Sequence, residues 1–234
     1  MTLSKQIRFT VPNVSEVSAL FLRPENARWL LALAHGAGAG MTHPFLENLA
    51  RELSEVGIAT LRYQFPYVEQ HRRVPDSPAV LTATTVAAIG AAKEAAADLP
   101  LLAGGKSMGG RMTSHAAALH PSHATGDAAL DGVRGLVFFG FPLHPPNYPG
   151  TKRAEHLAKV SQPMLFLQGT RDAFADLKLL RPICAGLGGR AKLHVIESAD
   201  HSFHVLKKSG RTDADVLREL AETTASWADQ LAMR

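Results

Sequence analysis

Apolar residues along this chain fall into two recurring patterns. The first is a set of short, nearly continuous aliphatic or aromatic runs: Gln6–Val11, Val17–Leu22, Trp29–Ala34, Ile58–Tyr63, Leu101–Gly104, Leu136–Gly140, Met164–Gln168 and Lys192–Ile196. Most of the later runs lack a polar face, which is how strands covered on both sides of a parallel sheet read. The second pattern is longer and repeats every three or four positions. Phe45, Leu46, Leu49, Ala50 and Leu53 mark one helix, with Pro44 in its first turn and Gly57 just past its end. An Ala-rich segment from Val80 to Ala97 halts before Pro100, and another from Arg111 to His120 halts at Pro121. Leu177 to Ala185 runs into a Gly-rich turn, and Val216, Leu217, Leu220, Trp227, Ala228 and Leu231 stripe the last helix.

Strands alternating with helices predict an α/β fold with a mostly parallel sheet of about eight strands and helices on both faces. The first two strands have no helix between them and are expected to pair as an antiparallel hairpin at one edge. No low-complexity linker and no internal repeat interrupts the pattern, so residues 1–234 are read as a single domain. Two loops stand out. Pro66 to Pro78 is polar and carries Arg72 and Arg73, and Pro142 to Gly150 holds Pro142, Pro145, Pro146 and Pro149, which predicts a stiff, extended rim.

Composition narrows the function classes. With 234 residues, 46% apolar and 20% charged, the chain is neither a disordered tail nor a disulfide-stapled scaffold. Its one cysteine, Cys184, has no internal partner, which fits a reducing compartment. A pI near 9.4 first suggests a nucleic-acid binder. The net charge is only +4, however, and the densest basic groups are the pairs Arg72-Arg73 and Lys207-Lys208. No nucleic-acid partner is expected. No run approaches the roughly 18 apolar residues of a membrane span, and residues 1–13 lack the apolar core of a signal peptide. The expectation is a cytoplasmic protein with no membrane partner, in which the sequon Asn13-Val14-Ser15 is a chance match.

The chemistry gathers at a few turns. Gly105-Lys106-Ser107-Met108-Gly109 has the form G-x-S-x-G, between a strand candidate and a helix candidate. That context marks the nucleophile elbow, a turn tight enough to push a serine hydroxyl out of the backbone. The pentapeptide by itself is weak; a Gly-rich strand-to-helix turn with a capping serine would look the same. A serine hydroxyl needs a base to take its proton. His201 follows the last strand directly, where this topology puts the base, with His204 as the rival three residues on. His194 lies inside the strand. The carboxylate that orients the base is expected just past an earlier strand, at the carboxyl end of the sheet, which selects Asp172. Asp200, beside His201, and Asp176, at a helix start where a cap is the simpler role, are the alternatives.

Acyl transfer also needs donors for a developing oxyanion. One is expected to be the N–H of Met108, the residue after the nucleophile. The other is assigned to Ala37 in the loop His35-Gly36-Ala37-Gly38-Ala39-Gly40, whose three glycines let backbone N–H groups turn inward. This loop fits neither G-x-G-x-x-G nor a P-loop, since Met41-Thr42 follows where a P-loop has Lys and Ser/Thr.

Together, AHGAGAG, GGKSMGG, QGTRD and ADHSF, in this order, resemble the α/β-hydrolase superfamily across nearly the whole chain. The segments AHGAGAGMTHPFL and ADHSFHVLKKSGRT look like a small dienelactone-hydrolase-like subgroup, some of whose relatives are known chiefly as parts of larger assemblies. Dienelactone hydrolases proper carry a cysteine nucleophile, whereas the elbow here holds Ser107. The resemblance therefore implies the α/β-hydrolase fold and a Ser-His-Asp triad, but not dienelactone chemistry. Many relatives insert a cap before the seventh strand. Here Phe141 to Pro163 has room only for the Pro-rich rim and one short helix, Arg153 to Lys159, so an open site without a large cap is expected. His43, Tyr63, Phe65, Phe141 and Arg111 are candidate pocket or rim residues, with core packing the simpler reading of each aromatic.

The expected activity is cleavage of an ester or related acyl bond in a small-molecule substrate, through an acyl-enzyme on Ser107. The alternative is a hydrolase-fold binding or scaffold module that turns nothing over. No cofactor or metal is expected, because no clustered ligand spacing is present.

Overall fold

A computed structural model describes residues 4–119 and 130–233. Eight strands form one sheet: β1 Lys5–Val11, β2 Ser15–Leu22, β3 Trp29–Ala34, β4 Ile58–Tyr63, β5 Leu101–Lys106, β6 Val133–Phe139, β7 Met164–Gly169 and β8 Ala191–Ile196. Their order across the sheet is β1-β2-β4-β3-β5-β6-β7-β8. The hairpin β1–β2 is antiparallel and forms one edge, β2 is antiparallel to β4, and every pairing from β4 to β8 is parallel.

Among the described residues, six α-helices accompany them: α1 Pro44–Glu55, α2 Pro66–Glu69, α3 Pro78–Ala95, α4 Met108–Leu119, α5 Leu177–Gly186 and α6 Asp213–Ala232. The strand period of two divides the apolar residues between two cores. On β3, Leu30, Ala32 and Ala34 join the core under α3, α4 and α5 with Leu81, Ile89, Met112 and Leu180. Trp29, Leu31 and Leu33 face the opposite core under α1 and α6 with Leu46, Leu49, Val216, Leu220 and Trp227. Both faces are covered, which explains the continuous apolar runs.

Local signals set the helix starts. The Ser77 hydroxyl accepts from Val80 N–H at the head of α3, and Thr212 and Asp215 form a reciprocal capping box at the head of α6. Two expectations need correction. The polar loop Pro66 to Pro78 opens with the single turn α2, with Phe65, Pro66 and Tyr67 buried, because Glu69 is tied to Ser18 N–H and Oγ of the edge hairpin at 3.1 and 2.8 Å. The short helix after the Pro-rich rim is a 3₁₀ helix, Lys152–Lys159. The rim itself is buried from Pro142 to His144 and opens to solvent only from Pro145 onward. The expected stop of α4 at Pro121 lies outside the described residues. No described helix is long and apolar enough to cross a membrane, and among the described residues no cap interrupts the β6–β7 connection.

Candidate active site

The parallel strands end on one edge of the sheet, and the loops that leave them there meet around Ser107. Between β5 and α4, Ser107 adopts φ 51°, a left-handed conformation uncommon for a residue with a Cβ. The turn is possible because glycines stand two positions away on either side. A Cβ on Gly105 would lie 2.6 Å from Ala34 O, and one on Gly109 would lie 2.5 Å from His35 O. The elbow is thus pressed against the end of β3 more closely than any side chain allows.

His201 sits in the loop after β8. Its Nε2 is 2.8 Å from Ser107 Oγ, and its Nδ1 is 2.7 Å from Asp172 Oδ2. Asp172, in the loop after β7, has a side chain that is 1% exposed. Its carboxylate also accepts from Phe174 N–H at 2.7 Å and from the Gln168 side-chain amide. Three donors satisfy it and fix its orientation, which offsets the cost of burying a charge. The Phe174 ring lies 4.3 Å from the His201 ring, centroid to centroid, and packs against it.

The rivals have other employment. His204 pairs with Asp213 at 2.9 Å on the surface. Asp200 accepts from Ser202 and His204 N–H and closes the loop, and Asp176 caps α5 through Lys178 N–H. His194 bonds Glu219 of α6 at 2.7 Å.

The glycine-rich loop after β3 turns through an Ala39 N–H to Gly36 O bond, with Gly38 at φ 73°. It is held by His35, which is fully buried: Nε2 accepts from Phe65 N–H at 3.1 Å and Nδ1 donates to Gly36 O at 2.8 Å. Burial pushes this imidazole down to about 4, so it is neutral and serves as a brace. A Cβ on Gly36 would touch Ser107 Cβ at 3.6 Å, so the loop borders the elbow. The N–H groups of Ala37 and of Met108, the first residue of α4, donate to no acceptor among the described residues.

These parts line an open cleft of about 280 Å³, bounded by Ala37, His43, Phe45, Lys106, Phe174 and His201. A larger groove of about 530 Å³, lined by Leu20, Arg51 and Arg62, shares no residue with it. His43 is on the cleft wall, where its Nδ1 also caps α1 by accepting from Phe45 N–H. Tyr63 and Phe141 correct the expectation: neither lines the cleft. Tyr63 is buried on β4, bonded through its hydroxyl to Thr85 of α3 at 3.1 Å, and Phe141 packs on Phe138 and Phe166 in the same core. Phe65 is likewise core.

Lys106 is a feature the motif analysis passed over. It immediately precedes Ser107, its Nζ is buried without a hydrogen-bond partner among the described residues, and the rest of the side chain is partly exposed. The ammonium lies 5.9 and 5.5 Å from the ring centres of Phe45 and Phe203. Burial lowers it to about 8, opposed by the charges of Asp172 and Asp200. A Cβ on Gly140 would meet Lys106 Nζ at 3.1 Å, His201 Nδ1 at 3.5 Å and Asp172 Oδ2 at 3.6 Å, so the lysine converges on the His201–Asp172 pair. The only signal in the sequence is a lysine inside an otherwise Gly- and Leu-rich strand end. Phe174 and Gln168 gave no signal beyond proximity to Asp172.

Residues 27–229 match the family described as alpha/beta hydrolase domain. The chain belongs to the alpha/beta hydrolase family. Solved structures with the same fold include a dienelactone hydrolase from Anabaena variabilis, with 21% identity, a TM-score of 0.73, and 97% of this chain and 96% of that one covered. An alpha-beta serine hydrolase homologue from Coxiella burnetii is 18% identical, with a TM-score of 0.71 and coverage of 97% and 98%. A serine hydrolase without a lid from Xanthomonas campestris is 19% identical, with a TM-score of 0.70 and coverage of 97% and 96%. As a family member, the chain has the doubly covered sheet, and it has no separate cap among its described residues, in keeping with the lidless Xanthomonas structure.

Proposed function

We propose that this alpha/beta hydrolase is a serine hydrolase that cleaves an ester or related acyl bond of a small molecule. The observation that carries the reading is the relay Ser107 Oγ–His201 Nε2 at 2.8 Å and His201 Nδ1–Asp172 Oδ2 at 2.7 Å on the wall of an open cleft. In this reading, His201 takes the Ser107 proton as the oxygen attacks the carbonyl. Asp172 holds the imidazole in the tautomer with Nδ1–H and stabilises the imidazolium. The N–H groups of Ala37 and Met108 receive the oxyanion; each such donor is worth about 3 kcal/mol of barrier. His201 then returns the proton to the leaving group, and water repeats the sequence on the acyl-enzyme. The alternative of an inactive scaffold has its own signature, a displaced histidine or a filled cleft. His201 is instead in reach of both partners and the cleft is open, which favours turnover.

A fluorophosphonate probe tests this. Wild type is expected to be labelled on Ser107, and Ser107→Ala, with an unchanged circular dichroism spectrum, is expected to lose the label. Equal labelling of the two proteins would remove Ser107 from the mechanism.

A further inference from the structure

On α4 the residues open to solvent follow the nucleophile at helical spacing: Ser107, Arg111 and His115 are partly exposed, while the positions between them are buried. At 1.5 Å rise per residue, Arg111 lies about 6 Å and His115 about 12 Å along the helix axis from Ser107. The 3₁₀ helix Lys152–Lys159 packs beside this stripe. It brings His156 into a parallel stack on His115, with ring centroids 3.7 Å apart and planes 13° apart. Arg153, on the same 3₁₀ helix, acts electrostatically on Arg111.

The composition of this cluster is unusual. Two guanidinium groups and two imidazoles meet with no carboxylate among the described residues to balance them. Among the described residues, Arg111 Nε is buried without a hydrogen-bond partner, and the side chain's one bond is from Nη1 to His115 Nε2, at a long 3.5 Å. Arg153 forms no ion pair or hydrogen bond among the described residues. Glu155, on the same 3₁₀ helix, is exposed and has no ion pair among the described residues. The other contact is His156 Nε2 to Ser114 Oγ at 2.8 Å. Burial and the neighbouring positive charge lower all three central groups: burial and Arg153 act on Arg111, burial and Arg111 on His115, and burial, His115 and Arg111 press His156 down to about 4. Two guanidinium cations beside two stacked imidazoles are completed by an anion. Guanidinium forks fit oxyanions, and an arriving negative charge would let the stacked imidazoles take up protons and add to the attraction.

We propose that Arg111, His115, Arg153 and His156 form an oxyanion-binding subsite one to two helical turns from Ser107. This site would select acyl substrates that carry a phosphate or carboxylate at that distance from the scissile bond. The inference deepens the serine-hydrolase reading and rests on it for the link to catalysis, but binding at the subsite is measurable without turnover.

The test follows the histidine ring protons of Ser107→Ala by NMR while inorganic phosphate or glutarate is added. The expected result is saturable movement of the His115 and His156 signals toward the imidazolium position, with Kd on the order of 1 mM. Arg153→Gln, on the exposed 3₁₀ helix, is expected to weaken binding at least about tenfold, the scale of one charge-assisted contact. Arg111→Gln serves as a second variant. Phosphate binding more tightly than glutarate would assign the site to phosphate-bearing substrates, and the reverse order to carboxylates. No saturable shift with either anion, or equal binding by wild type and Arg153→Gln, overturns the subsite. In kinetics, Arg153→Gln is expected to lower the kcat/KM ratio of a carboxylate-ended p-nitrophenyl ester to its methyl-ended counterpart by a similar factor. Anion binding without fluorophosphonate labelling would sink the serine-hydrolase reading alone. Labelling without anion binding would sink the subsite alone.

Discussion

Two histidines three residues apart in one loop each pair with an aspartate. His201–Asp172 and His204–Asp213 have nearly the same length, 2.7 and 2.9 Å. Their surroundings differ. The Asp172 and His201 side chains are 1% and 19% exposed, those of Asp213 and His204 54% and 56%. The buried pair turns its free imidazole nitrogen to Ser107, while in the exposed pair Asp213 also accepts from Val205 N–H and clips the loop to the start of α6. A hydrogen bond of given length is therefore a poor guide to role. Burial makes a pair electrostatically strong, and the third group it faces gives it something to do.

The contrast can be broken by paired substitution. Asp172→Asn is expected to lower kcat/KM toward p-nitrophenyl esters about 10⁴-fold, since it favours the wrong imidazole tautomer. Asp213→Asn is expected to stay within about threefold, the scale of a surface pair. Equal losses in steady-state assays would erase the distinction.

A smaller effect comes from Lys106, the cation beside the buried pair. Its folded pKa, about 8, lies below its ordinary value of 10.5. Between these pH values the unfolded chain binds more protons than the folded one, so stability rises with pH across that window. Below it the buried ammonium costs stability. Lys106→Met is therefore expected to be more stable than wild type at pH 7, by up to about 3 kcal/mol. The gap should narrow as pH rises from 8 to 10.5. Thermal melts that keep a constant gap over this range would show that Lys106 is not buried as a cation.

The smallest effect belongs to the exposed pair. Its hydrogen bond to Asp213 raises His204, and the bond to His204 lowers Asp213. The stabilisation should be present above the ordinary Asp value of 3.8 and in full up to the ordinary His value of 6.5, then fade as pH rises through the elevated His204 value. His204→Ala should accordingly melt below wild type at pH 5.5 and together with it at pH 9. A difference that persists at pH 9 would mean that the pair's worth is packing, not charge.

Much of this was legible beforehand. Each expected strand corresponds to an observed one, because strands buried on both faces leave uninterrupted apolar runs. Ser107, His201 and Asp172 could be picked out because each follows a strand, and the elbow glycines mark where the backbone is crowded. Tyr63 and Phe141 could not be placed. An aromatic at a strand end reads the same whether it faces a cleft or a core, and here Thr85 of α3 and the rings of Phe138 and Phe166 claim them. The turn α2 was missed because its cause is Glu69 reaching Ser18 in a distant strand. The pairing of α4 with the Lys152–Lys159 helix was invisible too, since Arg111 and His156 are separated by some forty residues of chain and by an intervening strand.

By itself, the sequence determined the order of strands and helices, the double-sided burial of the sheet, and the tight turn at Ser107. These depend on local periodicity and on glycine's freedom, which short segments carry. Only the tertiary structure decided which histidine meets the serine, that Lys106 lies buried beside Asp172, and that four basic side chains share a ledge without a counter-charge among the described residues. Those outcomes depend on loops brought together from distant strands, where burial rather than residue type sets the strength of each charge.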